Sequence, residues 1–179
     1  MLKKIIILAV IIIGVTILGL LLFCTLSAIS ESEYEEATKE VINKYSNNSK
    51  MFKDSMNELN SIISSSSGQI DNIFIVKKNN NISIEVFYKN DTSSNGVSIV
   101  KIKNEQYIEY SKTLKLVKKT KISNVWAGNR NIEYMYSAPF PLRRGLSIVY
   151  LTDKEKISTE HTILKNKKLE ENWYYMEID

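Results

Sequence analysis

The chain has 179 residues with a net charge of +4, one cysteine and one histidine. That length is enough for one domain with a real core, and the modest charge is not that of a dedicated polyanion-binding protein. One cysteine excludes an internal disulfide, and one histidine with it cannot supply a zinc site.

An uncharged run from Ile5 to Leu26 follows Lys3 and Lys4. Crossing a bilayer takes about 20 apolar residues in a helix, so this run predicts a transmembrane signal anchor over residues 5–28. The apolar region of a cleaved signal peptide is usually about 7–15 residues long, which favours a retained anchor. A cut after Ser30 is also chemically feasible, so cleavage stays open.

The charges that flank this run predict its orientation. Two lysines precede it, and four glutamates follow it before the next lysine: Glu31, Glu33, Glu35 and Glu36. The positive-inside rule then places residues 1–4 in the cytoplasm and the rest outside. We therefore expect a single-pass protein of the cell membrane with an extracytoplasmic domain, and the lack of disulfides fits a bacterial exported protein.

Residues 29–69 are predicted to form an extracytoplasmic helix, or stalk, and a linker. Ser30 and Ser32 each precede a glutamate by three residues, the capping-box spacing, so a new helix should begin just outside the bilayer. The stretch Ser46-Asn47-Asn48-Ser49 is a poor helix interior, so either one helix is dented there or two helices meet. The segment SSSSG should end the helix, with Gly68 in a left-handed cap.

From Ile70 the apolar period changes to two, which indicates strands. The predicted strands are IFIVKK, ISIEVFYK, VSIVKIK, QYIEYSK, LKLVKKTKI, IEYMYS, LSIVYLT, a strand around STEHTILK, and WYYMEI. Their short polar connections predict hairpins and hence an antiparallel meander. Residues 70–179 would thus be the β-rich part of the same external domain.

The predicted fold class is α+β: an N-terminal transmembrane helix, then an amphipathic helix packed on a curved antiparallel sheet. In element order this outline is similar to cystatin-like and NTF2-like domains and to small extracytoplasmic sensor domains. No motif carries the likeness, so it assigns no site residue.

Motifs for catalysis and cofactors are missing from the sequence. His161 is the only histidine, and no nucleophile turn, P-loop, G-x-G-x-x-G or calcium loop accompanies it. We therefore expect no enzyme, no cofactor, and no catalytic, cofactor-binding or metal residues. A carboxylate pair from distant parts of the chain stays open.

Two clusters are candidates for binding. Four lysines on one predicted strand would form an anionic-surface site or simply a solvated face: Lys115, Lys118, Lys119 and Lys121. In the loop SAPFPLRRG, prolines flank Phe140, and Arg143 and Arg144 can bind carboxylates bidentately, so these three are partner-binding candidates. Alternation also places several tyrosines on common faces, either as core or as the lining of a ligand pocket.

The function that these features favour is a membrane-anchored extracytoplasmic interaction domain, for example a subunit of a bacterial envelope assembly. Its expected partners are membrane lipid through residues 5–28 and another protein, and we do not expect nucleic acid. An extracytoplasmic small-ligand or sensing domain that works with a partner protein is the first alternative. An envelope-acting enzyme is the second. The ligand, the process and the oligomeric state stay open.

Overall fold

The computed structural model describes residues 2–79, 81–89, 97–102, 104–137, 145–152 and 163–178. As the sequence predicts, the fold is α+β, with one large antiparallel sheet and a few helices. The helices are α1 (Leu2–Ser65), a 3₁₀ helix (Asn104–Tyr110) and α2 (Ser111–Thr120). The strands are β1 (Ile70–Lys78), β2 (Asn81–Lys89), β3 (Val97–Lys101), β4 (Asn124–Gly128), β5 (Asn131–Tyr136), β6 (Gly145–Leu151), β7 (Ile163–Glu170) and β8 (Trp173–Ile178).

Helix α1 continues through the predicted anchor into the domain. The expected new helix start at Ser30 or Ser32 is therefore wrong. A capping box stabilises a helix start because the first backbone N–H groups have no helical partner. The residues before Ser30 are helical themselves, so those N–H groups already have acceptors one turn back.

The polar stretch in the middle of α1 does interrupt the helix, as predicted. Asn48 leaves helical geometry, with φ −133° and ψ 19°. Next to it, the Ser46 hydroxyl donates to the Ile42 carbonyl at 3.0 Å and the Asn48 amide donates to the Lys44 carbonyl at 2.8 Å. Such side chains compete with the backbone for its acceptors, which produces a kink. The helix ends before Gly68, which has a φ of +81° as predicted.

The eight strands do not follow a simple meander. Their order is β3-β2-β1-β4-β5-β6-β8-β7, with antiparallel neighbours throughout. The chain leaves β3 through the 3₁₀ helix and α2 and returns to pair β4 with β1. Strand β8 inserts between β6 and β7. Within the described sheet, β3 and β7 are therefore the two edge strands.

Two predicted strands are helices instead. QYIEYSK lies mostly in the 3₁₀ helix, and LKLVKKTKI lies mostly in α2, which ends at Thr120. The alternation of Leu114 and Leu116 suggested a strand. The buried residues of α2, however, repeat at helical spacing: Thr113, Leu114, Leu116, Val117 and Thr120. Lysine also favours helices over strands. The buried side of α2 packs against α1, and this tertiary contact favours the helix in a segment whose sequence fits both a helix and a strand.

The two helices cover one face of the sheet, which we call the inner face; the opposite face is the outer face. Along its length α1 crosses the inner face from β8 towards β1. Thr38 bonds Tyr175 of β8 at 2.8 Å, and Ser55 accepts a bond from Tyr134 of β5 at 3.0 Å. The last turns then lead into β1, so α1 first reaches the sheet near Thr38, at the β7–β8 end. The β3 edge lies at the other end.

Candidate protein-binding surface

The outer face of the sheet carries an aromatic row at its β3 end. Alternation sends Ile73, Ile75 and Val86 into the core and leaves Phe74 and Phe87 on the outer face. We call the four neighbouring residues of this surface the outer row: Ile99 of β3, Phe87 of β2, Phe74 of β1 and Trp126 of β4.

Cross-strand pairing holds the outer row together. Phe87 lies opposite Ile99, and Phe74 lies opposite Trp126. The Trp126 ring centroid is 5.5 Å from that of Phe74 and 5.6 Å from that of Phe87, at tilted angles. Aromatic pairs at such distances attract each other beyond their burial, which keeps the row ordered.

The row is left partly open to solvent. The three aromatic side chains are half-buried, and Ile99 is 57% exposed. Contiguous exposed apolar side chains on a soluble surface mark interaction sites, whereas single ones need no explanation. Aromatic residues in such a patch are also the usual anchors of protein interfaces.

A polar group borders the row at Gly128. A side chain at this position would place its Cβ 2.5 Å from Asn72 Oδ1 and 3.9 Å from Trp126 Nε1. The absence of a side chain therefore lets the Asn72 amide lie beside the Trp126 indole. Asn72 Nδ2 donates to Asp71 at 2.8 Å. The surface thus combines apolar area with fixed polar groups, as protein interfaces do.

Across β5, β6 and β8, the described part of the outer face is largely buried. Glu133 lies opposite Trp126 and is only 8% exposed, and the Ser147 hydroxyl donates to its carboxylate at 2.6 Å. Beyond it, Val149, Leu151 and Met176 form a second buried cluster, with partly buried Ile163 and Tyr174 against it. The outer face therefore changes from buried to open between β5 and β4.

On the inner face, the predicted tyrosines form core. Tyr134 and Tyr175 are buried, and Tyr134 stacks with Trp173 at 6.1 Å between ring centroids. Burial raises the pKa of the Tyr134 and Tyr175 hydroxyls above the usual value, which keeps both neutral. These residues pack α1 onto the sheet, as the core alternative of the sequence analysis expected.

A polar clamp fixes α1 to the β7–β8 turn. The Tyr45 hydroxyl donates to Glu170 Oε1, and Lys53 Nζ lies 2.6 Å from Glu170 Oε2. Burial, and then the bond to Glu170, raises the pKa of Tyr45; the bonds from Lys53 and Tyr45 lower that of Glu170. Because folding lowers the pKa of Glu170, the stability that Glu170 contributes to the folded state is fully present above its unfolded pKa. It is lost as the pH falls through the folded value.

Glu58 of α1 caps the start of α2. Its two carboxylate oxygens accept bonds from the backbone N–H groups of Lys112 at 2.9 Å and Thr113 at 2.8 Å. The Thr113 hydroxyl also donates to it at 2.7 Å. The N-cap residue itself, Tyr110, makes no capping hydrogen bond with its side chain. The first N–H groups of a helix need acceptors, so one helix supplies the cap of the other.

We expect Glu58→Ala to lower the free energy of unfolding by about 1–2 kcal/mol, the usual cost of a lost N-cap. Glu58→Gln keeps one acceptor oxygen and should cost less. Chemical denaturation of the full chain in mild detergent, followed by tryptophan fluorescence, measures both. Glu35→Ala, at an exposed position of the same helix, is the matched control. An equal effect of Glu35→Ala and Glu58→Ala would contradict the capping role.

The residues predicted as sites fare differently. Phe140, Arg143 and Arg144 lie in residues 138–144, outside the described residues, as does His161. The lysines Lys115, Lys118 and Lys119 lie on the exposed side of α2, and Lys121 follows at its C-cap with φ +61°. The predicted strand is wrong because this segment is helix α2, and each of the four lysines is exposed.

Sequence reasoning missed the outer row. The signal was present, since alternation in IFIVKK and ISIEVFYK places Phe74 and Phe87 apart from their aliphatic neighbours. The sequence analysis predicted no strand at Asn124–Gly128, so it missed both β4 and its pairing with β1, which brings Trp126 beside both phenylalanines.

Comparisons of the chain with protein-family models, with curated proteins and with solved structures find no match. Among the residues whose side chains the structure describes, no helix is both long and apolar enough to cross a membrane. That part of the chain also holds no group of three His, Cys, Asp or Glu side chains arranged to bind a metal ion.

Proposed function

We propose that the chain is a membrane-anchored extracytoplasmic domain that binds another protein through the outer row. The observation that carries the proposal is the open aromatic patch on β1 to β4, next to a part of the same sheet face that is buried. A half-buried tryptophan lies between two phenylalanines, with an exposed isoleucine beside them. Protein-binding patches have this kind of composition.

Two features support the anchor. The sequence from Ile5 to Leu26 is uncharged, and five side chains within it are 53 to 66% exposed: Ile13, Val15, Ile17, Leu18 and Leu20. Apolar side chains exposed all around a helix need an apolar environment, and a bilayer provides it. The lysines before the run and the glutamates after it support an extracytoplasmic location for the domain.

The position of the outer row fits such an anchor. Helix α1 reaches the sheet at its β7–β8 end, and the outer row lies near the β3 end. A patch at the end of the sheet away from the anchor is accessible to a partner in the envelope. An assembly subunit of this kind needs no catalytic groups. The small-ligand alternative drew on the tyrosines, and Tyr134 and Tyr175 are packed in the core.

Photo-crosslinking in the host cell tests the proposal. A benzophenone amino acid at Phe87 of the full-length protein should give one discrete protein adduct, because this side chain lies within the patch. The same amino acid at Lys167, exposed on β7 at the other edge, is the control and should give none. Adding Trp126→Ser should remove the Phe87 adduct. Equal labelling at both positions, or none at Phe87, would refute the proposed function.

A further inference from the structure

The two edge strands of the sheet differ in how they are protected. The edge strand β7 carries three exposed lysines: Lys165, Lys167 and Lys168. Lysines on an edge strand discourage pairing with another chain. The other edge strand, β3, reads Val97-Ser98-Ile99-Val100-Lys101, and Ile99 and Val100 are 57% and 45% exposed. Its one lysine, Lys101, lies at the end of the strand, so the centre of this edge presents apolar residues on both faces and is suited to accept a further strand.

The register identifies which backbone groups of β3 are free. The N–H of Ile102 donates to the carbonyl of Ile84 at 2.9 Å, so these two form a hydrogen-bonded pair. Antiparallel pairs alternate between bonded and non-bonded, so Val100 bonds to Val86 and Ile99 does not bond to Phe87. The N–H and C=O groups of Ile99 therefore point away from β2, towards an edge at which no other described strand pairs.

Charge at this edge defines what would pair with it. Ile99 is flanked on the outer face by two exposed lysines, Lys89 opposite Val97 and Lys101 opposite Glu85. Glu85 lies 3.3 Å from Lys101 and is the carboxylate already engaged there. An incoming strand with an apolar centre next to Ile99 and a carboxylate near each lysine would complement this edge.

A second copy of the chain fits this edge poorly. Antiparallel pairing of β3 with its own copy has a two-fold axis normal to the sheet, and this axis reverses every direction within the sheet. Because α1 runs along the sheet face, the two copies of α1 would point in opposite directions. Two anchors in one membrane cannot do so, and the occupant is therefore a different protein.

We propose that β3 is a strand-addition site, at which an extended segment of another protein, apolar at its centre and acidic at both ends, pairs with the free backbone of Ile99. The inference rests on the proposed function and gives its mode of binding. The added strand would place an apolar side chain next to Ile99 and so extend the outer row by one strand. Backbone bonds would supply affinity, and the outer row would supply selectivity.

The test is a titration of the full chain in detergent micelles with a synthetic peptide of alternating valine and threonine that ends in aspartate on both sides. Amide NMR signals and hydrogen exchange report the contact. We expect the amide of Ile99 to shift and to exchange more slowly, and the amide of Val100, already bonded to β2, to change little. A peptide with N-methyl groups on its pairing edge keeps the side chains and should bind at least about tenfold more weakly, as expected when several backbone bonds are lost.

Variants of the chain give the matching result from the protein side. Ile99→Pro removes an N–H that β2 does not use, so the internal ladder is kept while addition is blocked. Its binding should fall by about tenfold, whereas Ile99→Thr keeps the N–H and should bind within about threefold of the natural chain. Ile99→Thr and the N-methyl peptide remain informative if Ile99→Pro does not fold.

Several results would overturn strand addition. They are no shift at millimolar peptide, equal binding of the N-methyl peptide, or equal shifts at Asn166 of the β7 edge. Slow exchange at Ile99 that appears without peptide as the chain is concentrated would assign the edge to a second copy instead. Photo-crosslinking at Phe87 is independent of these results. A protein adduct at Phe87 together with no peptide binding would contradict strand addition but support the proposed function.

Discussion

Replacing Trp173 by alanine should lower the free energy of unfolding by about 3–5 kcal/mol, the range for deleting a large buried aromatic side chain. Trp173 is buried where α1 meets the sheet. Its ring centroid lies 5.2 to 6.1 Å from those of four aromatic neighbours: Tyr45, Phe52, Tyr134 and Tyr150. Three elements meet at this ring, so they cannot collapse into the space it leaves, and the cavity cost adds to the lost burial.

Chemical denaturation of the full chain in mild detergent measures this loss, with Trp126 fluorescence as the signal. Tyr174→Ala is the matched control, because Tyr174 is the next residue of β8 but is half-buried on the outer face. It should cost about 1 kcal/mol, a typical value for a partly exposed position. If both variants lost the same stability, Trp173 would not be the centre of the core.

The difference between these neighbours also shows what the sequence could predict. Alternation in WYYMEI places Trp173 and Tyr175 on one face and Tyr174 on the other, and both assignments agree with the structure. Strand positions with this period were predictable because one face had to be buried. The kink at Asn48 and the left-handed Gly68 were predictable for a similar reason, since local side-chain chemistry determines both.

The predictions that failed depended on contacts between distant residues. The local pattern of LKLVKKTK fits both a strand and a helix; packing against α1 and the cap from Glu58, 54 residues away from Lys112, favour the helix. The pairing of β1 with β4 is of the same kind, because α2 carries the chain back across the sheet. The outer row results from that pairing, so it could not be assembled from the sequence, although alternation could assign Phe74 and Phe87 to a face. No strand was predicted at Trp126.

The proposed anchor over residues 5–28 leads to the second large predicted effect. A lysine at the centre of a membrane-spanning helix costs about 2.5–3.5 kcal/mol, so Ile17→Lys with Leu18→Lys should cost about 5–7 kcal/mol. Apolar residues of the run each favour insertion by only about 0.3–0.6 kcal/mol, so the two lysines cancel most of its preference for the bilayer. Ile17 and Leu18 lie in the exposed part of α1, and their replacement removes no contact of the core.

The full-length double-lysine variant should therefore be extracted from membranes by alkaline carbonate, whereas the natural chain should resist extraction. Ile17→Leu with Leu18→Ile changes the same positions without adding charge and should stay in the membrane. A natural chain that is released by carbonate, or a soluble product that begins at Glu31, would show that residues 5–28 are not a retained anchor. A double-lysine variant that resists extraction would show that the domain is held at the membrane by something other than this helix.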